Sequence, residues 1–128
     1  MSAVIVPFEL SITAHIKRLR EMPCMISGSR PVTLHHCKGG SMRELLGCAG
    51  NPGKGAKVSD WLQIPLAARY HVGEFGIDTG QGIYKTKEQW EAAFGKQSDF
   101  LIRLSRQLGY NLFERAGFRV VISGMQTR

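Results

Sequence analysis

Six of the chain's 15 glycines lie between residues 39 and 55, together with Pro52, and no other feature restricts the fold as much. No long helix or strand can cross such a run, because glycine loses the most backbone entropy on ordering and proline lacks a donor. Only residues 41–46 (Ser-Met-Arg-Glu-Leu-Leu) keep a helical composition, enough for one or two turns; the remainder reads as a mobile loop. A loop of this length inside a small domain is usually functional or disordered. Short strand candidates flank it. Residues 32–35 have β-branched content, and in residues 61–66 Pro65 confines a strand to an edge or to its end.

The rest of the chain alternates between helical periodicity and turns. Residues 3–8 read as a short strand or extended arm, with Pro7 suited to an edge. Ile12, Ile16 and Leu19 set a helical stripe behind Ser11, a plausible N-cap, and Pro23 ends it. Residues 23–31 are turn-rich. Thr86 and Gln89 have the spacing of a capping box, opening a helix with Trp90, Ala93 and Phe94 on one face and a stop near Gly95. Phe100, Leu101, Leu104 and Leu108 define a second amphipathic helix from about Ser98, closed by Gly109, and residues 118–122 read as a strand. The expected class is α+β, and 128 residues suit a single domain spanning 1–128.

Composition narrows the setting. Hydrophobic residues make up 43% of the chain, enough for a modest core, and no apolar stretch approaches the ~18 residues that span a bilayer. The opening residues lack a basic region and are broken by Pro7 and Glu9, so a cleaved signal peptide is not expected. Cys24, Cys37 and Cys48 form no Cys-x-x-Cys pair, which disfavours a disulfide framework and suits a reducing cytoplasm. Seventeen Lys and Arg against ten Asp and Glu leave a net +7. Residues 1–60 carry eight basic and four acidic groups and residues 61–128 carry nine and six, so the charge belongs to the folded body. It fits nucleic acid, an anionic surface or an acidic partner.

The chemistry concentrates in His35-His36, His71 and Asp78. Adjacent residues on a strand point to opposite faces. An imidazole ligates metals readily, and a free one near pH 7 is matched to general-base work. The bland alternative is that the pair is polar surface at a strand end. His71 and Asp78 lie too far apart for one helical turn, but a bend at Gly73 and Gly76 could return the aspartate toward the histidine.

These residues carry a resemblance. His15, Pro23-Cys24, Gly28, His35-His36, Lys57-Val58-Ser59-Asp60, Ile64-Pro65-Leu66, His71, Gly76-Ile77-Asp78 and the stretch from Trp90 to Gly95 follow one another in a known order. In that order the chain resembles the HNH (ββα-metal) endonuclease superfamily, specifically its Ref-like phage recombination nucleases, over roughly residues 12–102. The resemblance implies a ββα-metal core over about residues 24–102, with a hairpin from about residue 32 to 66 interrupted by the basic loop, a helix beginning near His71, and flanking helices. It implies His35, His71 and Asp78 as ligands of one divalent ion, Mg²⁺ or Mn²⁺ with Zn²⁺ also serving. His36 is implied as the general base and Asp60 as a support for that base or for the metal shell. Two departures stand out. Ser27 takes a place where relatives hold a cysteine and none precedes His71, so no four-cysteine structural zinc can be built, and Asp78 replaces the family's last histidine.

Lys38, Arg43, Lys54, Lys57 and Arg69 surround the expected site and suit phosphate contacts. Trp61 and Trp90 read either as core anchors or as surfaces on which bases stack, and His15 as packing near the site. The resemblance implies a largely sequence-nonspecific DNA endonuclease acting on single- or double-stranded DNA. Its setting would be phage recombination in the host cytoplasm, with a host or phage recombination protein as a further partner and no membrane. Two alternatives stand beside it: an inactive nucleic-acid-binding or recombination-accessory protein on the same scaffold, and a module for an acidic protein partner.

Overall fold

The strand candidates on either side of the glycine-rich loop pair with one another. The structure, a computed structural model, describes residues 11–52, 58–78 and 82–125. The arm expected over residues 3–8 and the loop lysines Lys54 and Lys57 lie outside them. Strands β1 (Thr33–His36) and β2 (Gln63–Leu66) run antiparallel, with Thr33 opposite Leu66 and His35 opposite Ile64. Both strands of a two-stranded sheet are edges, which is where proline is tolerated. Pro65 uses its outer carbonyl to accept from the Met25 amide.

Helix α1 (Ile12–Arg20) precedes the sheet, and the Ser11 hydroxyl caps it by accepting from the Ala14 amide at 3.1 Å. Between the strands lie α2 (Ser41–Leu46) and a 3-10 turn (Gly47–Gly50). Gly40 enters α2 at φ +50°, and a Cβ there would run into the Glu91 carboxylate, so only glycine fits. After β2 come α3 (Ala68–His71), α4 (Lys87–Phe94), α5 (Gln97–Leu108) and α6 (Leu112–Arg115). The described residues thus form a small α+β domain of six helices and one two-stranded sheet. Strand β2 is buried along its whole length because α1, α3 and α5 all pack on it. Leu19, Met42, Ile64, Trp90, Leu101, Leu104, Leu112 and Phe113 are fully buried at the centre. Each such side chain contributes about 1.5–3 kcal/mol by leaving water.

Three expectations need correction. Residues 118–122 form no strand: the Val120 carbonyl accepts from the Asn111 side chain, the Phe118 amide donates to Phe113, and Val121 is exposed. On α4, Ala93 faces solvent while Glu91 is buried beside Trp90. The helix expected to begin near His71 ends there, since Val72 to Asp78 turn back along α3. Among the described residues no helix is long and apolar enough to cross a membrane.

Candidate metal centre

The return of the chain after α3 builds the site. The Ile77 amide donates to the Tyr70 carbonyl and the Asp78 amide to the His71 carbonyl, so Asp78 is laid beside His71. Gly76 allows the fold-back: a Cβ there would sit 2.7 Å from the His71 carbonyl oxygen. The alternation of β1 turns His35 inward to meet them and leaves His36 exposed. Asp78 Oδ2 lies 3.0 Å from His35 Nδ1 and 2.8 Å from His71 Nε2. The three ligand atoms all fall within 4.8 Å of one another.

The outer nitrogens of both imidazoles are already committed. His35 Nε2 lies 2.9 Å from Gln97 Oε1. That oxygen also accepts from the Lys38 amide, while Gln97 Nε2 donates to the carbonyls of Lys38 and Gly39 and to Glu91 Oε2, so the amide orientation is fixed. His35 Nε2 therefore donates. His71 Nδ1 lies 2.8 Å from Thr33 Oγ1, whose own hydrogen goes to the Leu66 carbonyl, so His71 Nδ1 donates too. In the neutral imidazoles the inner nitrogens are then lone pairs, converging with a carboxylate oxygen on one point. Three acceptors meeting this way require a cation between them, either protons on the rings or a metal ion.

A divalent ion fits this donor set. Ligand bonds of ~2.0–2.3 Å place donors roughly 3–4 Å apart, close to the spacing here. An outer N–H held by an amide or hydroxyl is how ligating histidines are usually oriented. Burial alone would raise the Asp78 carboxyl, but hydrogen bonds from His35 and His71 outweigh it and hold the group far below the ordinary carboxylate range. Protons on the facing ring nitrogens thus favour the charged, ligating form of Asp78.

His36 and Asp60 form a second pair on the opposite side of β1, with His36 Nε2 2.8 Å from Asp60 Oδ1 and both side chains open to solvent. No hydrogen bond joins this pair to the His35 group among the described residues. Of the basic residues singled out, Lys38, Arg43 and Arg69 are exposed, and Arg69 lies over the Tyr70 ring at 4.9 Å. Cys24 and Cys37 are buried and Cys48 is exposed, all as free thiols. Burial pushes the Cys37 thiol up.

Sequence reasoning missed Thr33, Gln97, Glu91 and Lys87. Glu91 accepts from the Ser41 amide and hydroxyl and from the Gln97 amide, and so anchors the residue that orients His35. Burial lowers the Lys87 ammonium, Asp78 opposes that shift and Lys38 adds to it, which places a half-buried cation in the field of the site. A Gln at the first turn of an amphipathic helix was the sole local hint, and it is a weak one. Comparison with family models, curated proteins and solved structures finds no match to this chain.

Proposed function

We propose that the chain is a metal-dependent DNA endonuclease on a ββα-metal core, cutting with little regard to sequence, in the manner of the phage recombination nucleases it resembles. One observation carries the reading: His35, His71 and Asp78 converge with their outer hydrogen bonds already made. When bound there, a Mg²⁺ or Mn²⁺ ion, with Zn²⁺ as a further candidate, would offset negative charge on the scissile phosphate and its departing oxygen.

The remaining work falls to side chains of this chain. Asp60 accepts the His36 Nε2 hydrogen, which leaves Nδ1 as the free lone pair of the neutral ring. His36 Nδ1 takes a proton from the attacking water as its oxygen bonds to phosphorus, and Asp60 stabilises the imidazolium that forms. The bond from phosphorus to the 3′-oxygen breaks, and that oxygen takes a proton from solvent. Lys38, Arg43 and Arg69, with Lys54 and Lys57, hold the flanking backbone by charge. His35 and His36 are one peptide apart on opposite faces of β1, and this reading requires the scissile phosphate to reach both groups.

The separation of the His36 pair from the ligand trio favours a second reading, a nucleic-acid-binding accessory protein without catalysis. A plasmid-nicking assay separates the two. Supercoiled and single-stranded DNA are incubated with Mg²⁺, Mn²⁺ or Zn²⁺ and with wild-type protein or His36→Ala. The nuclease reading expects cleavage with at least one metal, lowered about 10²–10⁴-fold in His36→Ala and abolished by chelator. Tight binding with no His36-dependent cleavage in any metal leaves the accessory reading standing.

A further inference from the structure

Away from the metal centre, guanidinium groups gather on aromatic rings. Arg115 lies over Trp61 at 5.5 Å and over Tyr110 at 5.3 Å, and Arg18 lies over Tyr110 at 5.9 Å. Trp61 directly follows Asp60, so this cluster borders the His36–Asp60 pair. Arg115 also lines an open cleft of about 1320 Å³ between α6 and the C-terminal segment. Arg106 and Arg119 line it as well, Tyr110 and Phe118 supply rings, and Glu114 is its one acidic residue.

Two cations over one ring repel each other, and folded proteins normally relieve this with a carboxylate. None of Arg18, Arg106, Arg115 or Arg119 forms an ion pair with a carboxylate among the described residues; the Lys or Arg pair present there is Lys96 with Glu44. A guanidinium over a ring face still has N–H groups for another acceptor, as for Arg115, whereas Arg106 donates one to the Ser123 carbonyl. Guanidinium groups without a carboxylate partner offer their charge to an outside anion, and planar forks of this kind suit phosphate. Rings inside the cleft add a preference. They gain by contact with exposed base faces, which a single strand offers and a duplex hides.

We propose that the Arg18–Arg115–Tyr110–Trp61 cluster and its adjoining cleft form a sequence-independent groove for single-stranded nucleic acid, directed toward His36 and Asp60. Only the direction of the strand rests on the nuclease reading. Binding can be measured with all metal chelated, so the groove and the hydrolysis fail or succeed separately.

Fluorescence anisotropy of a labelled 20-nucleotide oligothymidylate, in chelator, tests it. Wild type should bind the single strand more tightly than a duplex of equal length. Arg119→Ala, an exposed substitution that touches no ring stack, should weaken binding about 3–10-fold. Arg115→Ala with Arg119→Ala should weaken it at least tenfold and flatten the salt dependence by roughly 1.4 units of log K per log salt, the release expected for two phosphates. Circular dichroism melts check that the variants fold; if the double variant does not, Arg119→Glu replaces it, with the same tenfold loss expected. Binding within twofold of wild type in the folded variants overturns the proposal, as does preferred binding of the duplex. Equal competition by polyglutamate also overturns it, in favour of an acidic protein surface.

Discussion

His15 is fully buried, 4.7 Å from the Trp61 ring, with Nδ1 2.8 Å from the Tyr110 hydroxyl and Nε2 unpartnered among the described residues. Burial first, then the charges of Arg18 and Arg115, hold it down to about 4 from an ordinary 6.5. Between those values the unfolded chain carries the proton and the folded one does not. Stability from this group is therefore complete above about 6.5, falls as the pH drops toward 4, and changes no further below. The loss is on the order of 3 kcal/mol. Denaturant titrations at pH 7 and pH 4 should show wild type losing that much more than His15→Phe, whereas parallel losses would refute this role. At this scale the sequence was partly legible. The opposed faces of His35 and His36 follow from strand alternation, and the return of Asp78 from the glycines before it. The partners that fix the imidazoles were not legible: Gln97 lies 62 residues from His35, and Thr33 lies 38 from His71.

Each element is short, and side chains reaching between elements set the site. Helix α5 presents Gln97 to the end of β1, and the buried Glu91 of α4 receives the start of α2 and the start of α5 together. Helix starts with side-chain caps were readable: Ser11 caps α1 as expected, and the Thr86 hydroxyl accepts from the Gln89 amide. The reciprocal half of that box shifts by one residue, since the Gln89 side chain accepts from Lys85. Helix α6 went unseen although Asn111 caps it through the amides of Phe113 and Glu114, because four residues are too few to show a period. Residues 118–122 have strand composition but meet no free sheet edge, so tertiary context overrides propensity. Cutting the tie between α5 and β1 should loosen the grip of the candidate site on a metal ion. Gln97→Ala frees His35 to rotate and is expected to weaken Mn²⁺ or Zn²⁺ binding about 10–100-fold by calorimetry, with the fold retained. An unchanged affinity would mean that Gln97 serves packing alone.

At the scale of the molecule the net +7 resolves into places. Lys38, Arg43 and Arg69 lie near the candidate metal centre by chain position, while Arg18, Arg106, Arg115 and Arg119 gather by Tyr110 and the cleft beside it. The second group was invisible in sequence because α1, α6 and the C-terminal segment meet only on folding. The glycine-rich loop lies between β1, which holds His35 and His36, and its partner β2, so the feature that most limits regular structure sits beside the strand that supplies both histidines. The nuclease reading rests on one ion having a place between His35, His71 and Asp78. A crystal grown or soaked with Mn²⁺ and measured for anomalous scattering tests it directly. The expected result is a single strong peak within ~2.0–2.3 Å of His35 Nδ1, His71 Nε2 and an Asp78 carboxylate oxygen. No peak there at millimolar Mn²⁺, or a peak held by other residues, would contradict the metal centre and the nuclease reading with it.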